Sequence, residues 1–387
     1  MGNVLFACRR YNLKTIKIHG RSSHSSSVSN HSSSTNTASS ADFQEWLNQP
    51  LNPSSSSFSD LSPGTPGSNK RDPNRTKENS KEKDTTKSNK REIYIEEGEL
   101  GSGGFSTVLL ATRVTKDLDG KTNSTSVAIK RIICSDPDQI ENARREIEIT
   151  KKISSPFVIS LYNHGERRSS KNKSNQIVSL VFPVYSNGTL WDYLIKLENE
   201  KKGGLSKEQK QSFCHGLLKG LKRIHMLNIA HCDLKTSNVL IKEDLKTPII
   251  MDFGSATMNT LKEVKTSNQS TQLLDWASEH CTACYRAPEL FDIPYPTSID
   301  LRSCDIWSIG CCIRALTHFK GPLDEIWLKG DSLGLAVQSI NKYIGKYENE
   351  EDSVYKEIVE KSLLASSNQT RPSVDELLKM LDGEGKS

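Results

Sequence analysis

The chain has 387 residues, 34% of them hydrophobic and 26% charged, with 52 Lys and Arg against 47 Asp and Glu. That is enough apolar material for one domain of about 290 residues with a sizeable core, and no apolar run approaches the roughly 18–20 residues that a membrane span requires. Residues 1–90 hold thirteen Lys and Arg against seven Asp and Glu, while residues 91–387 hold 39 against 40. The basic surplus therefore belongs to an N-terminal arm, and no nucleic-acid partner is expected of the neutral body.

Met1-Gly2-Asn3-Val4-Leu5-Phe6 opens the chain. Gly2 is placed to accept myristate, although Phe6 stands where Ser or Thr is preferred. Cys8, followed by Arg9 and Arg10 and then Lys14, Lys17 and Arg21, is the better acylation candidate, a palmitoylation site beside a basic patch. One fatty chain binds a membrane marginally, and each cation near an anionic surface adds about 1 kcal/mol, so the two together hold a protein stably. Residues 1–20 are expected to be an acylated anchor on an anionic membrane surface. The alternative is a free cytoplasmic protein whose N-terminus is merely basic.

Residues 21–90 are expected to be a disordered basic arm. Sixteen of the forty residues from Arg21 to Asp60 are Ser, with Asn, His and Thr filling much of the remainder, so little apolar surface is available to offset ordering entropy. Phe43-Gln44-Glu45-Trp46-Leu47 interrupts this pattern, either as a docking peptide that folds on a partner or as an idle patch. Ser62-Pro63 and Thr65-Pro66 are candidate phosphorylation sites. Nine scattered Cys without a secretory signal indicate a reducing compartment.

Gly101, Ser102, Gly103, Gly104, Phe105, Ser106 and Val108 fit the pattern G-x-G-x-x-G-x-V, except that Ser106 takes the third glycine position. Small residues at close approaches let backbone amides face phosphate oxygens, but such a run alone is more often a flexible turn. Val127-Ala128-Ile129-Lys130 follows, an apolar strand ending in a lysine that would ordinarily be a solvated terminus. A helix is predicted over Asp138–Ile153, carrying Glu146 within reach of that lysine. Glu141 and Glu148 compete for the role; Glu146 is preferred because Ile147, Ile149 and Ile153 flank it with an apolar surface that seats the helix.

His231-Cys232-Asp233-Leu234-Lys235-Thr236-Ser237-Asn238 comes next, with Asp252-Phe253-Gly254 beginning fourteen residues after Asn238. Asp233 supplies a base, Lys235 a cation that neutralises phosphate, and Asn238 and Asp252 oxygen ligands for a hard divalent ion. Downstream lie Arg286-Ala287-Pro288-Glu289, the apolar helix opening Asp305-Ile306-Trp307-Ser308-Ile309-Gly310, and Arg371, expected to pair with Glu289.

In this order, from Gly101 to Arg371, the strings resemble a protein kinase. The resemblance implies an α+β, two-lobed fold: a small β-rich N-lobe over residues 91–185 and a larger helical C-lobe over 186–387. It implies ATP and Mg2+ (or Mn2+) as cofactors, bound by the loop from Gly101 to Val108, by Ala128 and Lys130, and by Asn238 and Asp252. Lys130 paired with Glu146 would grip the phosphates, and Asp233 and Lys235 would act on the acceptor hydroxyl. Lysine two residues after the base indicates Ser and Thr on protein substrates rather than Tyr.

The stretch from Thr271 to Tyr285, together with Gly103-Gly104-Phe105-Ser106, Asn187-Gly188-Thr189-Leu190-Trp191, Lys329-Gly330-Asp331-Ser332-Leu333 and Leu335-Ala336-Val337-Gln338, resembles the Numb-associated kinase family. Within it, the likeness is to a branch acylated on an N-terminal Gly and Cys. That implies lipid on Gly2 and Cys8, residence on the cytosolic face of the Golgi or vacuole, and a part in vesicle trafficking; the serine-rich arm is a candidate for autophosphorylation. The chain departs from the pattern at Cys232 for arginine, at Phe253 for leucine, and in its serine-rich insertion. Cys232 and Ser106 also leave open a scaffold that binds nucleotide and partners without efficient transfer.

Cys232 offers no positive charge to a phosphate on the activation segment, so activity is not expected to depend on one. Leu273 to Tyr285 is expected to order itself instead as a short helix anchored by Trp276. Cys281 and Cys284 are expected to be packing thiols in preference to half a zinc site, and Cys311 and Cys312 to be core.

Overall fold

Alternation in β3 (Thr122–Cys134) shows how this chain builds its sheet: Val127, Ile129 and Arg131 are buried while Ala128, Lys130 and Ile132 between them are only half-buried, the two-residue period of a strand. With β1 (Glu92–Ser102), β2 (Ser106–Lys116), β4 (Asn163–Arg168) and β5 (Gln176–Pro183) it forms a five-stranded sheet ordered β1-β2-β3-β5-β4. β3 and β5 run antiparallel with Lys130 opposite Leu180. This computed structural model describes residues 92–103, 106–117, 120–170, 172, 174–201, 203–365 and 370–383. The expected anchor and arm, with Gly2, Cys8 and the Phe43–Leu47 string, lie outside the described residues, as do Gly104 and Phe105.

The described residues fall in two compact units. One holds Glu96–Ala111 and the chain from Ser126 on; the other takes in the strand residues up to Ile95 together with Thr112–Thr125. Within the second, Glu92 accepts hydrogen bonds from the Tyr94 hydroxyl at 2.7 Å and from Arg113 Nε at 3.2 Å. All the elements and side chains that follow belong to the first.

Helix α1 (Pro137–Lys152) starts one residue earlier than predicted because Asp136 caps it, accepting from the Gln139 amide, and Pro137 fills the first turn, where its missing N–H costs nothing. Its buried face carries Ala143, Glu146, Ile147, Ile149 and Thr150. The C-lobe is helical: α2 (Leu190–Asn199), α3 (Lys207–Met226), α4 (Ser267–His280), α5 (Leu301–His318), α6 (Asp324–Lys329), α7 (Leu333–Gln338), α8 (Ser353–Leu363) and α9 (Val374–Leu381). At its centre α5 is buried on nearly every side, Cys311 and Cys312 included, with Trp307 at its middle. No helix among the described residues is long and apolar enough to cross a membrane.

Two short ribbons position the site. β6 (Val239–Ile241) pairs antiparallel with β7 (Pro248–Ile250), and α3 lies directly on β7 because Gly216 has no side chain there; a Cβ would stand 2.5 Å from Pro248 Cγ. Asn238 precedes β6 and Asp252 follows β7, so the ribbon brings them side by side, with the Met251 amide donating to the Asn238 carbonyl at 2.9 Å. β8 (Leu261–Val264) pairs with β9 (Thr297–Asp300).

The predicted pairing of Glu289 with Arg371 is present: Arg371 Nη2 donates to Glu289 Oε2 at 2.8 Å, and the arginine side chain is 0% exposed. Desolvation pushes the Glu289 carboxyl up, but Arg371 outweighs it and holds the group below its ordinary range. A carboxylate lowered in the fold stabilises above the ordinary carboxylate pKa, and that share is lost as pH falls through the lowered value. Glu289→Gln leaves the buried guanidinium without a countercharge, so urea unfolding should show a loss of about 3–5 kcal/mol at neutral pH. The deficit should shrink as the wild type is acidified below the carboxylate range.

Candidate active site

Lys130 Nζ, on the half-buried face of β3, donates to Glu146 Oε1 and to Asp252 Oδ1, both at 2.8 Å. The choice of Glu146 over its neighbours thus follows helical geometry: it lies on the buried face of α1, whereas Glu141 and Glu148 are exposed. Burial by itself would lower the Lys130 ammonium, but Asp252 and Glu146 outweigh it and raise the group above the ordinary lysine range. Desolvation pushes the Glu146 carboxyl up against the pull of Lys130. For Asp252 the desolvation is outweighed by Lys130, and the carboxyl sits at about 2. The site thus holds a fixed cation and an anion committed to its charge.

Asp233 is held on both oxygens. Oδ1 accepts from the Thr282 amide at 3.0 Å and the Thr282 hydroxyl at 2.6 Å; Oδ2 accepts from Lys235 Nζ at 2.8 Å and Asn238 Nδ2 at 3.1 Å. Lys235 also donates to the Thr282 hydroxyl at 2.7 Å. Thr282 was not singled out in the sequence, because a threonine forty-nine residues from its partner in an irregular segment carries no local signal. Its spacing before Arg286-Ala287-Pro288-Glu289 was the available clue.

The backbone of this loop is strained, with φ of 67° at both Cys232 and Asp252, a region non-glycine residues seldom enter. Asp305 on α5 stabilises it: Oδ2 accepts from the His231 amide at 2.8 Å and Oδ1 from the Cys232 amide at 2.9 Å. His231 accepts the Asp233 amide at Nδ1 (3.3 Å), which leaves Nε2 to donate to the Met251 carbonyl at 3.1 Å. Burial pushes the Cys232 thiol well above its ordinary range, so this position carries no charge.

Asn238 spends both amide hydrogens on Asp233, and its Oδ1 is buried with no partner. An orphaned amide oxygen beside the Asp252 carboxylate is a hard-oxygen pair suited to a divalent ion such as Mg2+ or Mn2+. Gly101 and Ser102 end β1, Ser106 and Val108 open β2, and the Gly103 amide donates to the Ser106 carbonyl at 2.6 Å. Ala128 lies two residues before Lys130 on β3.

The activation segment differs from its prediction. Its helix, α4, begins at Ser267, six residues earlier than expected, because Thr266 caps it by accepting from the Gln269 amide, and it stops at His280. A separate short 3-10 turn covers Ala283–Tyr285. The anchors are Ser270, Leu273 and Ala277, with the Ser270 hydroxyl donating to the Ile293 carbonyl at 2.6 Å. Trp276 is half-buried, packs against the edge of the core and stacks on His280 at 5.0 Å, so it shares the anchoring with these three instead of supplying it alone. Cys281 and Cys284 are buried in the core. No group of three or more His, Cys, Asp and Glu among the described residues is arranged to hold a metal.

A five-stranded sheet and a helical lobe that together bring a partly buried Lys-Glu-Asp cluster beside an Asp, Lys and Asn loop define a protein kinase. Sequence comparison agrees, since the protein kinase domain model matches residues 94–381, and the chain belongs to that family, among its serine/threonine enzymes. It is similar to Serine/threonine-protein kinase 16 of Mus musculus, 33% identical over 294 residues that cover 76% of this chain and 90% of the relative. The Homo sapiens protein of that name is 36% identical over 251 residues, covering 65% and 77%. Serine/threonine-protein kinase ENV7 of Saccharomyces cerevisiae is 25% identical over 336 residues, covering 73% and 89%.

Proposed function

We propose that the chain transfers the terminal phosphoryl group of ATP to Ser and Thr of proteins, using the residues assembled around Asp233. The observation that carries this assignment is the double restraint on the Asp233 carboxylate by Thr282, Lys235 and Asn238. A carboxylate held in this way is oriented to accept the proton of an incoming hydroxyl. Lys130, kept in place by Glu146, binds the α- and β-phosphates, and Lys235 meets the transferring group as its charge builds. Backbone amides at Gly101, Ser102 and Ser106 would face the phosphates. Asn238 and Asp252 would hold Mg2+ or Mn2+, which supplies charge neutralisation along the phosphates when bound.

The enzyme is proposed to be constitutively active. The β8–β9 ribbon, the Ser270–Ile293 contact and the Thr282–Asp233 bonds order the activation segment without a phosphate, and Cys232 has no charge to offer one. It is further proposed to act on the cytosolic face of a Golgi or vacuolar membrane, anchored by lipid on Cys8 and Gly2 and by the basic residues beside them, as a Numb-associated-type kinase of vesicle trafficking that autophosphorylates. The support is the sequence of residues 1–21, with Cys8 beside Arg9, Arg10, Lys14, Lys17 and Arg21.

Three measurements test these readings. In a radiolabelled-phosphate assay, Asp252→Ala and Lys130→Arg should lose at least a hundredfold of the wild-type rate, and equal incorporation in all three proteins would refute the assigned roles. Phosphatase-treated enzyme should keep most of its activity; a hundredfold loss would show that the segment does need a phosphate. In fractionated cells the wild type should pellet with membranes and Cys8→Ser should move to the supernatant, whereas identical partitioning of the two removes Cys8 as the anchor.

A further inference from the structure

The hydroxyl of Tyr285 lies between two side chains that the proposed chemistry does not use. Thr236 Oγ1 is 3.0 Å from it on one side, and Asp324 Oδ2 accepts from it at 3.1 Å on the other. All three residues are buried, Asp324 at 2% exposure. Asp324 Oδ2 also accepts from the Gly321 amide at 2.6 Å, and the Cys284 thiol donates to the same carboxylate. The loop that carries it is itself held from α5, where Arg314 Nη1 donates to the carbonyls of Lys320 at 2.7 Å and Gly321 at 3.3 Å.

Among the described residues no Lys or Arg forms an ion pair with Asp324. The nearest countercharge is the Arg314 guanidinium, which favours the Asp324 charge without bonding it; burying a carboxyl without a direct ion-pair partner is costly before its hydrogen bonds offset it, and a plain packing role would be met more cheaply by an apolar side chain. The donors it collects show its use. A carboxylate only accepts, so Tyr285 must donate to it, and the tyrosine oxygen is then left to accept from the Thr236 hydroxyl. Burial, with Asp324 adding to it, pushes the Tyr285 phenol well above its ordinary range, so it stays a donor.

Thr236 and Tyr285 belong to the two stretches of backbone that restrain Asp233, and their hydroxyls meet. Thr236 opens the turn Thr236–Asn238, directly after Lys235, and both Lys235 and Asn238 bond Asp233 Oδ2. Tyr285 lies three residues after Thr282, which bonds Asp233 Oδ1. We infer that Asp324 is a positioning residue for phosphoryl transfer: through the Tyr285 hydroxyl and Thr236 it locks the catalytic loop to the segment that carries Thr282, and so fixes both oxygens of Asp233. The inference rests on the proposed role of Asp233 as acceptor of the substrate proton.

Tyr285→Phe and Thr236→Val each remove one hydroxyl and keep nearly all the volume, so both variants should fold. Each should lower kcat on a peptide substrate by about tenfold, the order expected from one hydrogen bond in a chain ending on an anion, with KM for ATP unchanged. The double variant should lose no more than either alone, because both cut the same chain. Asp324→Asn keeps an acceptor and should retain more activity than Asp324→Ala. Amide hydrogen exchange over residues 231–238 should speed up in Tyr285→Phe relative to wild type. Wild-type kcat and exchange in Tyr285→Phe, or losses that add in the double variant, would overturn the inference. Faster exchange in Tyr285→Phe alongside a wild type that transfers no phosphate would uphold the lock and sink the catalytic roles instead.

Discussion

One buried carboxylate, that of Asp305, holds the catalytic loop in a conformation it would not adopt by itself. With 0% exposure on the most buried helix of the protein, Asp305 takes the amides of His231 and Cys232 and also lies 3.0 Å from His225 Nε2. Left-handed backbone at Cys232 is costly for a residue with a side chain, and two hydrogen bonds to an anion in a dry interior are strong enough to hold it there. Once Cys232 is fixed, Asp233 points where Thr282, Lys235 and Asn238 reach it. The hydrophobic packing of α5 is thus converted into the placement of a side chain far from Asp305 in sequence, since the Cys232 amide that precedes it bonds a carboxylate 73 residues away.

The second centre is electrostatic. Lys130 brings the sheet lobe to the helical lobe by bonding Glu146 on α1 and Asp252 after β7. Lys130 is the shared partner of both carboxylates, so its removal would leave two anions without a countercharge, Glu146 among them in a buried position. The cluster therefore reports whether α1 is seated, and an arrangement that binds phosphate is also an arrangement that senses the position of a helix.

The activation segment shows a different solution to ordering a loop. Where a cation directly before Asp233 could have held a phosphate, this chain has a neutral thiol at Cys232, and order comes from a strand pair, a capped helix with a small apolar face, and hydroxyl contacts. These are local and permanent, whereas a phosphate contact is added and removed.

The composition of each short string was legible before any fold was known: a glycine-rich hairpin, an apolar strand ending in Lys130, a helix with Glu146 on its apolar side, and the His231–Asn238 loop followed by Asp252. Periodicity and residue chemistry are carried by neighbours in the chain, so each string could be read by itself, while the lobes, the ion cluster and the Glu289–Arg371 pair followed from the likeness of the ordered strings to a protein kinase. The start of α4 is not legible in its apolar stretch because the decisive signal, the Thr266 cap, lies outside it, and the size of Trp276 does not say how much of its ring is covered. Thr282, Asp305 and Asp324 were invisible in their roles. Each acts on a partner between thirty-nine and seventy-four residues away, and a hydrogen bond over that separation exists only after packing has brought the two backbones together. Sequence determined which chemical groups this protein owns; tertiary structure decided which of them share a carboxylate.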